Sequence, residues 1–125
     1  MRKSYKLYNH ESCNAHVEIH RDDKGLFKAI ELWSYETCVC GLAFENGWKI
    51  FCNGTYSPTT RRHISWFSRQ PWNPYRNWVL SYQEFKWISE HCAHGIREAT
   101  QNEIACFANL IWQYEQSGKH CYIYG

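Results

Sequence analysis

The sequence predicts an α+β fold, an antiparallel sheet of about four or five strands in the N-terminal half packed against about three helices in the C-terminal half. Three observations carry this. Strand-length runs before residue 53 are separated by turn-forming pairs. Two capping boxes open helices after residue 80. At 125 residues the chain has the length of one domain, so residues 1–125 are read as a single unit.

Taken in order, residues 15–20 alternate, with Val17 and Ile19 on one side and His16, Glu18 and His20 on the other, the period of a half-buried strand. Asp22-Asp23-Lys24-Gly25 turns the chain into a second strand over residues 26–33. A third strand is expected over 35–44. Glu45-Asn46-Gly47 then forms a hairpin turn of the Asn-Gly type, with its partner strand over 48–52. Ser57 caps a helix with Pro58 at its first position, running to about residue 68. Residues 70–77, holding Pro71 and Pro74, read as a surface loop. Ser81-x-x-Glu84 opens a helix from 82 to about 94, stopped by Gly95. Thr100-x-x-Glu103 opens another over 101–117, stopped by Gly118. The apolar tail 121–124 is expected to return as an edge strand.

Composition narrows the classes. Aromatic residues make up 18% of the chain, with 7 Trp, 9 Tyr and 6 Phe, enough ring area for a packed core. No stretch approaches the roughly 20 apolar residues that span a bilayer. The basic start, Arg2, Lys3 and Lys6, is not followed by the apolar run of an export signal. The expected setting is the cytoplasm, with no membrane partner. There the 7 cysteines are expected as thiols or metal ligands, since an odd number fits a disulfide framework poorly.

Cysteine and histidine also fall in ligand-like pairs. Cys13-x2-His16 lies where a loop enters a strand, the kind of close pair that a tetrahedral zinc site combines with a second pair from elsewhere in the fold. His10 and His20 are near enough to substitute. For the second pair, residues three apart share a helix face, which favours His91 and His94. At a frayed helix end Cys92 with His94 serves instead, and spacing does not choose between them. Taken singly, a cysteine is most often a small buried hydrophobe. That is the expectation for Cys38 and Cys40, read as sharing one strand face, and for Cys106. A closed four-ligand zinc site supplies folding stability and not chemistry.

The net charge is only +2, but residues 46–83 contain no Asp or Glu and carry Lys49, Arg61, Arg62, Arg69 and Arg76. This segment is +5, leaving the remainder at −3. Trp72, Tyr75 and Trp78 are interleaved with these arginines, a mixture in which guanidinium groups pair with phosphate while rings stack on bases or on a protein. Arg61, Arg62, Arg69, Trp72, Tyr75, Arg76 and Trp78 are therefore the candidate partner-binding residues. A solvated helix face over an aromatic core is the plainer reading of the same pattern. No nucleophile elbow or nucleotide-binding glycine pattern is present, so no enzyme is expected.

Ser34-Tyr35-x-Thr37-x-Val39, followed by Gly54-x-Tyr56-Ser57-x-Thr59-Thr60-x-x-His63-Ile64-x-x-Phe67, resembles a segment of small uncharacterised phage and mobile-element proteins. The resemblance spans residues 34–67 and carries no catalytic residues. It implies a phage factor acting in the cytoplasm of a bacterial host, of which anti-CRISPR proteins are a prominent class. The expectation that follows is a non-enzymatic, zinc-stabilised inhibitor that binds a Cas nuclease ribonucleoprotein such as Cas9 and blocks nucleic-acid loading. A directly binding DNA or RNA regulator is the alternative, and a metal-dependent hydrolase the second.

Overall fold

The computed structural model describes residues 1–7, 14–54, 57–69 and 78–117. Six strands, β1 (Arg2–Lys6), β2 (Ala15–Arg21), β3 (Phe27–Ser34), β4 (Thr37–Phe44), β5 (Trp48–Cys52) and β6 (Ile96–Glu98), form one sheet in that spatial order, every neighbouring pair antiparallel. Helices α1 (Pro58–Phe67), α2 (Tyr82–His91) and α3 (Gln101–Ser117) complete the α+β architecture. Six strands are slightly more than the expected four or five, and the edge strands β1 and β6 are the ones not expected. β6 has only three residues, and β1 reads Arg-Lys-Ser-Tyr-Lys with one apolar residue in five, so neither carries an alternating apolar signal. The expected edge strand over 121–124 lies outside the described residues.

Local chemistry explains the element ends. Asp22 Oδ1 accepts from the amides of Lys24 and Leu26 at 2.9 and 3.0 Å, a side-chain mimic of a backbone turn that reverses β2 into β3. Asn46 and Gly47 both take positive φ, 53° and 112°, as the β4–β5 hairpin requires. The strand expected from residue 35 begins two residues later, because Tyr35 sits at φ 56° and turns the chain so that Ser34 pairs with Thr37.

Both capping boxes form. Ser81 Oγ accepts from Glu84 N at 3.2 Å, and Thr100 Oγ1 from Glu103 N at 3.1 Å, with each glutamate reaching back to its cap amide. Helix α2 stops at His91, three residues early, because Cys92 is extended (ψ 140°) and a 3₁₀ turn at Ala93–Gly95 redirects the chain into β6. Gly95 makes this possible: a Cβ there would lie 2.3 Å from the Cys52 carbonyl oxygen.

One face of the sheet is covered by the helices. Val17 and Ile19 of β2, Ile30 and Leu32 of β3, Leu42 of β4 and Ile50 of β5 pack with Ile64, Phe67, Phe85, Ile88, Phe107 and Leu110 in one core. Phe67 is central, its ring 6.3 Å from Phe85 and 6.2 Å from Phe107, and each such ring contributes roughly 1.5–3 kcal/mol on burial. In β4 the register passes from Leu32↔Cys40 to Trp33↔Cys38, leaving Val39 as the extra residue of a bulge. The expected common face for Cys38 and Cys40 is therefore corrected: Cys40 joins the core, while Cys38 lines a hollow with Glu31. Cys106 packs against the core, half-buried. No helix among the described residues is long and apolar enough to cross a membrane.

Candidate functional site

The face of the sheet turned away from the helices carries a polar cluster. Alternation along β2 places His16, Glu18 and His20 there, and the β2–β3 register sets His16 across from Trp33 and Glu18 across from Glu31. His16 is 1% and Glu18 3% exposed. The His16 ring lies along Trp33, with centroids 6.0 Å apart and planes 16° from parallel. His16 Nε2 is 2.8 Å from Glu18 Oε2, and His20 Nε2 is 2.6 Å from Glu31 Oε1. Trp33 Nε1 donates to the same Glu31 oxygen at 3.1 Å. Glu18 Oε1 is buried and accepts no hydrogen bond from the described residues, with Arg2 Nε at 3.4 Å and His20 Nε2 at 3.7 Å.

The electrostatics follow from this packing. Burial opposes ionisation of Glu31, but the His20 hydrogen bond and charge, the Trp33 indole and Arg2 together hold its carboxyl below the ordinary range. Cys38 is pushed up to about 12, first by burial and then by the Glu31 and Glu18 charges, so its thiol stays protonated. A hollow of about 330 Å³ lined by Arg2, Glu18, Trp33 and Glu36 and one of about 310 Å³ that includes Glu31, Cys38 and Lys49 both include residues of the cluster.

The second candidate region is the ridge formed by α1 and the start of α2. Ser57 Oγ accepts from Thr60 N at 3.3 Å and Pro58 follows it, which starts α1. The buried positions Thr60, His63, Ile64 and Phe67 face inward and leave Arg61 and Arg62 exposed. Among the described residues neither guanidinium pairs with a carboxylate. Arg61 instead lies over the Tyr82 ring, 4.7 Å from its centroid, a cation–π contact. Trp78 Nε1 donates to Ser65 O at 2.5 Å, and Arg69 bridges to Trp78, so the chain at Trp78 is tied back onto α1. A hollow of about 210 Å³ opens between Arg61, Ser65, Trp78, Ser81, Tyr82 and Gln83. Trp72, Tyr75 and Arg76 lie outside the described residues.

The two halves of the 34–67 motif meet in the core. Ser34 Oγ, at the end of β3, is 2.7 Å from His63 Nδ1 and 3.1 Å from Thr60 Oγ1 of α1. All three residues are at most 4% exposed. Buried so deeply, this Ser–His pair pins α1 to the sheet and is not a nucleophile open to substrate.

The expected metal ligands are distributed differently. Cys13 and His10 lie outside the described residues. His16 is on the outer face of β2. His91 is exposed, stacked on Trp87 with centroids 5.1 Å apart, and His94 is exposed at φ 59° in the 3₁₀ turn beyond α2. With α2 ending at His91, His91 and His94 no longer share a helical face, and Cys92 packs half-buried against the core. Helix α2 packs beside β5 on the inner face, whereas β2 is three strands away, about 14 Å at the usual strand spacing. His16 is therefore not brought together with His91 or His94. The alternation of β2 already contained the reason, since it turns His16 away from the side that Val17 and Ile19 present to the helices. Of the predicted substitutes, His20 does join a cluster able to hold an ion, with Glu18 and Glu31, their donor atoms within 4.8 Å of one another. Glu31 was missed because its meeting with Glu18 depends on hairpin register and not on spacing along the chain.

A family model described as "Family of unknown function (DUF8033)" matches residues 6–84, more than half of the chain, and the chain belongs to that family. No curated protein and no solved structure matches it. The matched span contains the outer-face cluster and α1, and ends before His91.

Proposed function

We propose that this member of the DUF8033 family is a non-enzymatic binding protein whose α1–α2 ridge engages phosphate groups of the nucleic acid in a host ribonucleoprotein, obstructing nucleic-acid loading. The observation that carries the reading is the pair Arg61 and Arg62, exposed on α1 and free of carboxylate partners among the described residues. Guanidinium groups that no carboxylate among the described residues engages are available to phosphate, and Arg61 is held over Tyr82 beside a hollow lined in part by Trp78, an arrangement suited to a backbone contact next to a stacked base. A Cas nuclease with its guide RNA is the specific partner proposed, on the resemblance of residues 34–67 alone. Action as a free DNA- or RNA-binding regulator uses the same residues.

Fluorescence anisotropy with labelled single-stranded RNA, duplex DNA and guide-loaded Cas9 tests the reading. It predicts binding whose log affinity falls linearly with log salt, with the slope reduced by about 1 for each arginine contact removed in Arg61→Ala and Arg62→Ala. Preference for the loaded nuclease over naked strands supports the inhibitor form, and the converse supports the regulator. Lack of binding to all three at low salt, or affinity unchanged in the double variant, overturns the proposal.

A further inference from the structure

We infer that Glu18, His20 and Glu31 form a site for one divalent first-row transition ion on the outer face of the sheet. This site is separate from the α1–α2 ridge and independent of the function proposed for it.

Register supplies the first reason. Glu18 and Glu31 are directly opposed in the β2–β3 ladder, and like charges directly across a strand pair repel. A cation between them turns that repulsion into attraction. His20, two residues along β2, shares their face and brings Nε2 to 2.6 Å from Glu31 Oε1 and 3.7 Å from Glu18 Oε1. The three donor atoms lie within 4.8 Å of one another. Bonds of about 2.0–2.2 Å in a tetrahedral site place donors about 3.4 Å apart, so small side-chain rotations convert the present cluster into a ligand set.

The second reason is independent of the clustering. Glu18 is 3% exposed, and its Oε1 is buried without a hydrogen bond among the described residues. A buried carboxylate oxygen left without a donor is costly. The Arg2 side chain at 3.4 Å is itself 57% exposed and approaches from the solvent side. On the other side of the carboxylate, His16 holds Oε2 at 2.8 Å, which orients Glu18 so that Oε1 faces His20. His16 is then a positioning residue behind a ligand, as imidazoles and carboxylates commonly are around metals.

The donor set specifies the class of ion. One imidazole with two carboxylates suits zinc, manganese or ferrous iron better than the soft ions that select thiolates. Three protein ligands leave a coordination position open, and the hollows lined by Glu18 and by Glu31 give an exogenous ligand room to reach it.

The test uses the untagged full chain, incubated with zinc chloride, dialysed and assayed for bound metal, with cobalt substitution read by visible absorption. One ion per chain is expected. His20→Ala and Glu31→Gln should each lower affinity at least about tenfold. His91→Ala, which removes an exposed imidazole elsewhere, should leave it unchanged. Arg2→Ala removes a competing cation from an exposed position and should tighten binding severalfold. Far-UV circular dichroism identifies any variant that fails to fold, and Arg2→Ala and His91→Ala carry the test if the ligand variants do. No ion retained by the wild type, stoichiometric binding that survives both His20→Ala and Glu31→Gln, or affinity unmoved by Arg2→Ala overturns the assignment.

Discussion

On the outer face of the sheet Glu18, Glu31 and their histidines are buried or half-buried and paired with one another, whereas on α1 Arg61 and Arg62 stand in solvent with no carboxylate partner among the described residues. Glu18 is held by His16 at 2.8 Å and Glu31 by His20 at 2.6 Å, side chains fixed by strand register before any ligand arrives. Arg61 and Arg62 are exposed, and the contact orienting Arg61 is the Tyr82 ring. The difference teaches what each region is suited to hold. A largely buried, pre-oriented cluster discriminates a small ion by geometry. An exposed basic ridge gains affinity from long-range attraction to a polyanion and loses it with salt.

The comparison is sharpest in the effect of substitutions on stability. His16→Ala strips the buried Glu18 carboxylate of its closest partner and should cost about 2–4 kcal/mol in denaturant unfolding. A loss under about 0.5 kcal/mol, the size of an ordinary surface change, would remove the distinction between the regions. Ser34→Ala leaves His63 Nδ1 and Thr60 Oγ1 without their shared hydroxyl, and about 1–3 kcal/mol of destabilisation is expected. An unchanged melting temperature would show that the Ser34 latch between α1 and the sheet contributes nothing.

Arg97 grips Glu103 with two bonds of 2.9 Å at the start of α3. Arg97→Ala is expected to cost about 1–2 kcal/mol. The same pair gives a pH signature. Burial opposes ionisation of Glu103, but Arg97 and the Thr100 amide hold its carboxyl below the ordinary value of 4.5, and Glu31 is depressed likewise. A depressed folded value means the unfolded chain takes up protons first. The stabilisation is complete above about 4.5 and is lost as pH falls through the folded values. Melting temperature followed from pH 6 to 3 should decline, and decline less in Arg97→Ala. At the small end, the double variant Arg61→Ala, Arg62→Ala should alter stability by no more than about 0.5 kcal/mol. A larger loss would make those arginines part of the scaffold.

Much of this scaffold is legible in the residues. Asn46-Gly47 forces its hairpin, both Ser/Thr-x-x-Glu boxes form where they stand, and the alternation of residues 15–20 divides Val17 and Ile19 from His16, Glu18 and His20. These are local rules, satisfied by neighbours in sequence. The cross-strand partners are not local. Glu31 meets Glu18 through the register of a hairpin, and Cys38 leaves the core because Val39 bulges out of its ladder. Helix α2 ends three residues early because the chain must reach β5 to form β6, which separates His91 from His94. Histidine spacing along the chain favoured a site between sheet and helix, and strand pairing favours one within the sheet. The basic segment was legible as charge, and α1 presents two of its arginines to solvent.

The central claim is that the α1–α2 ridge is a phosphate-binding surface built on a fold that does not need it. Its most direct test is the affinity of the wild type and the Arg61→Ala, Arg62→Ala variant for a labelled single-stranded RNA, measured across a salt series. The account predicts a wild-type salt slope that becomes shallower by about 1.4 in the variant, with weaker binding at every salt concentration. Identical slopes and affinities for the two proteins would contradict it.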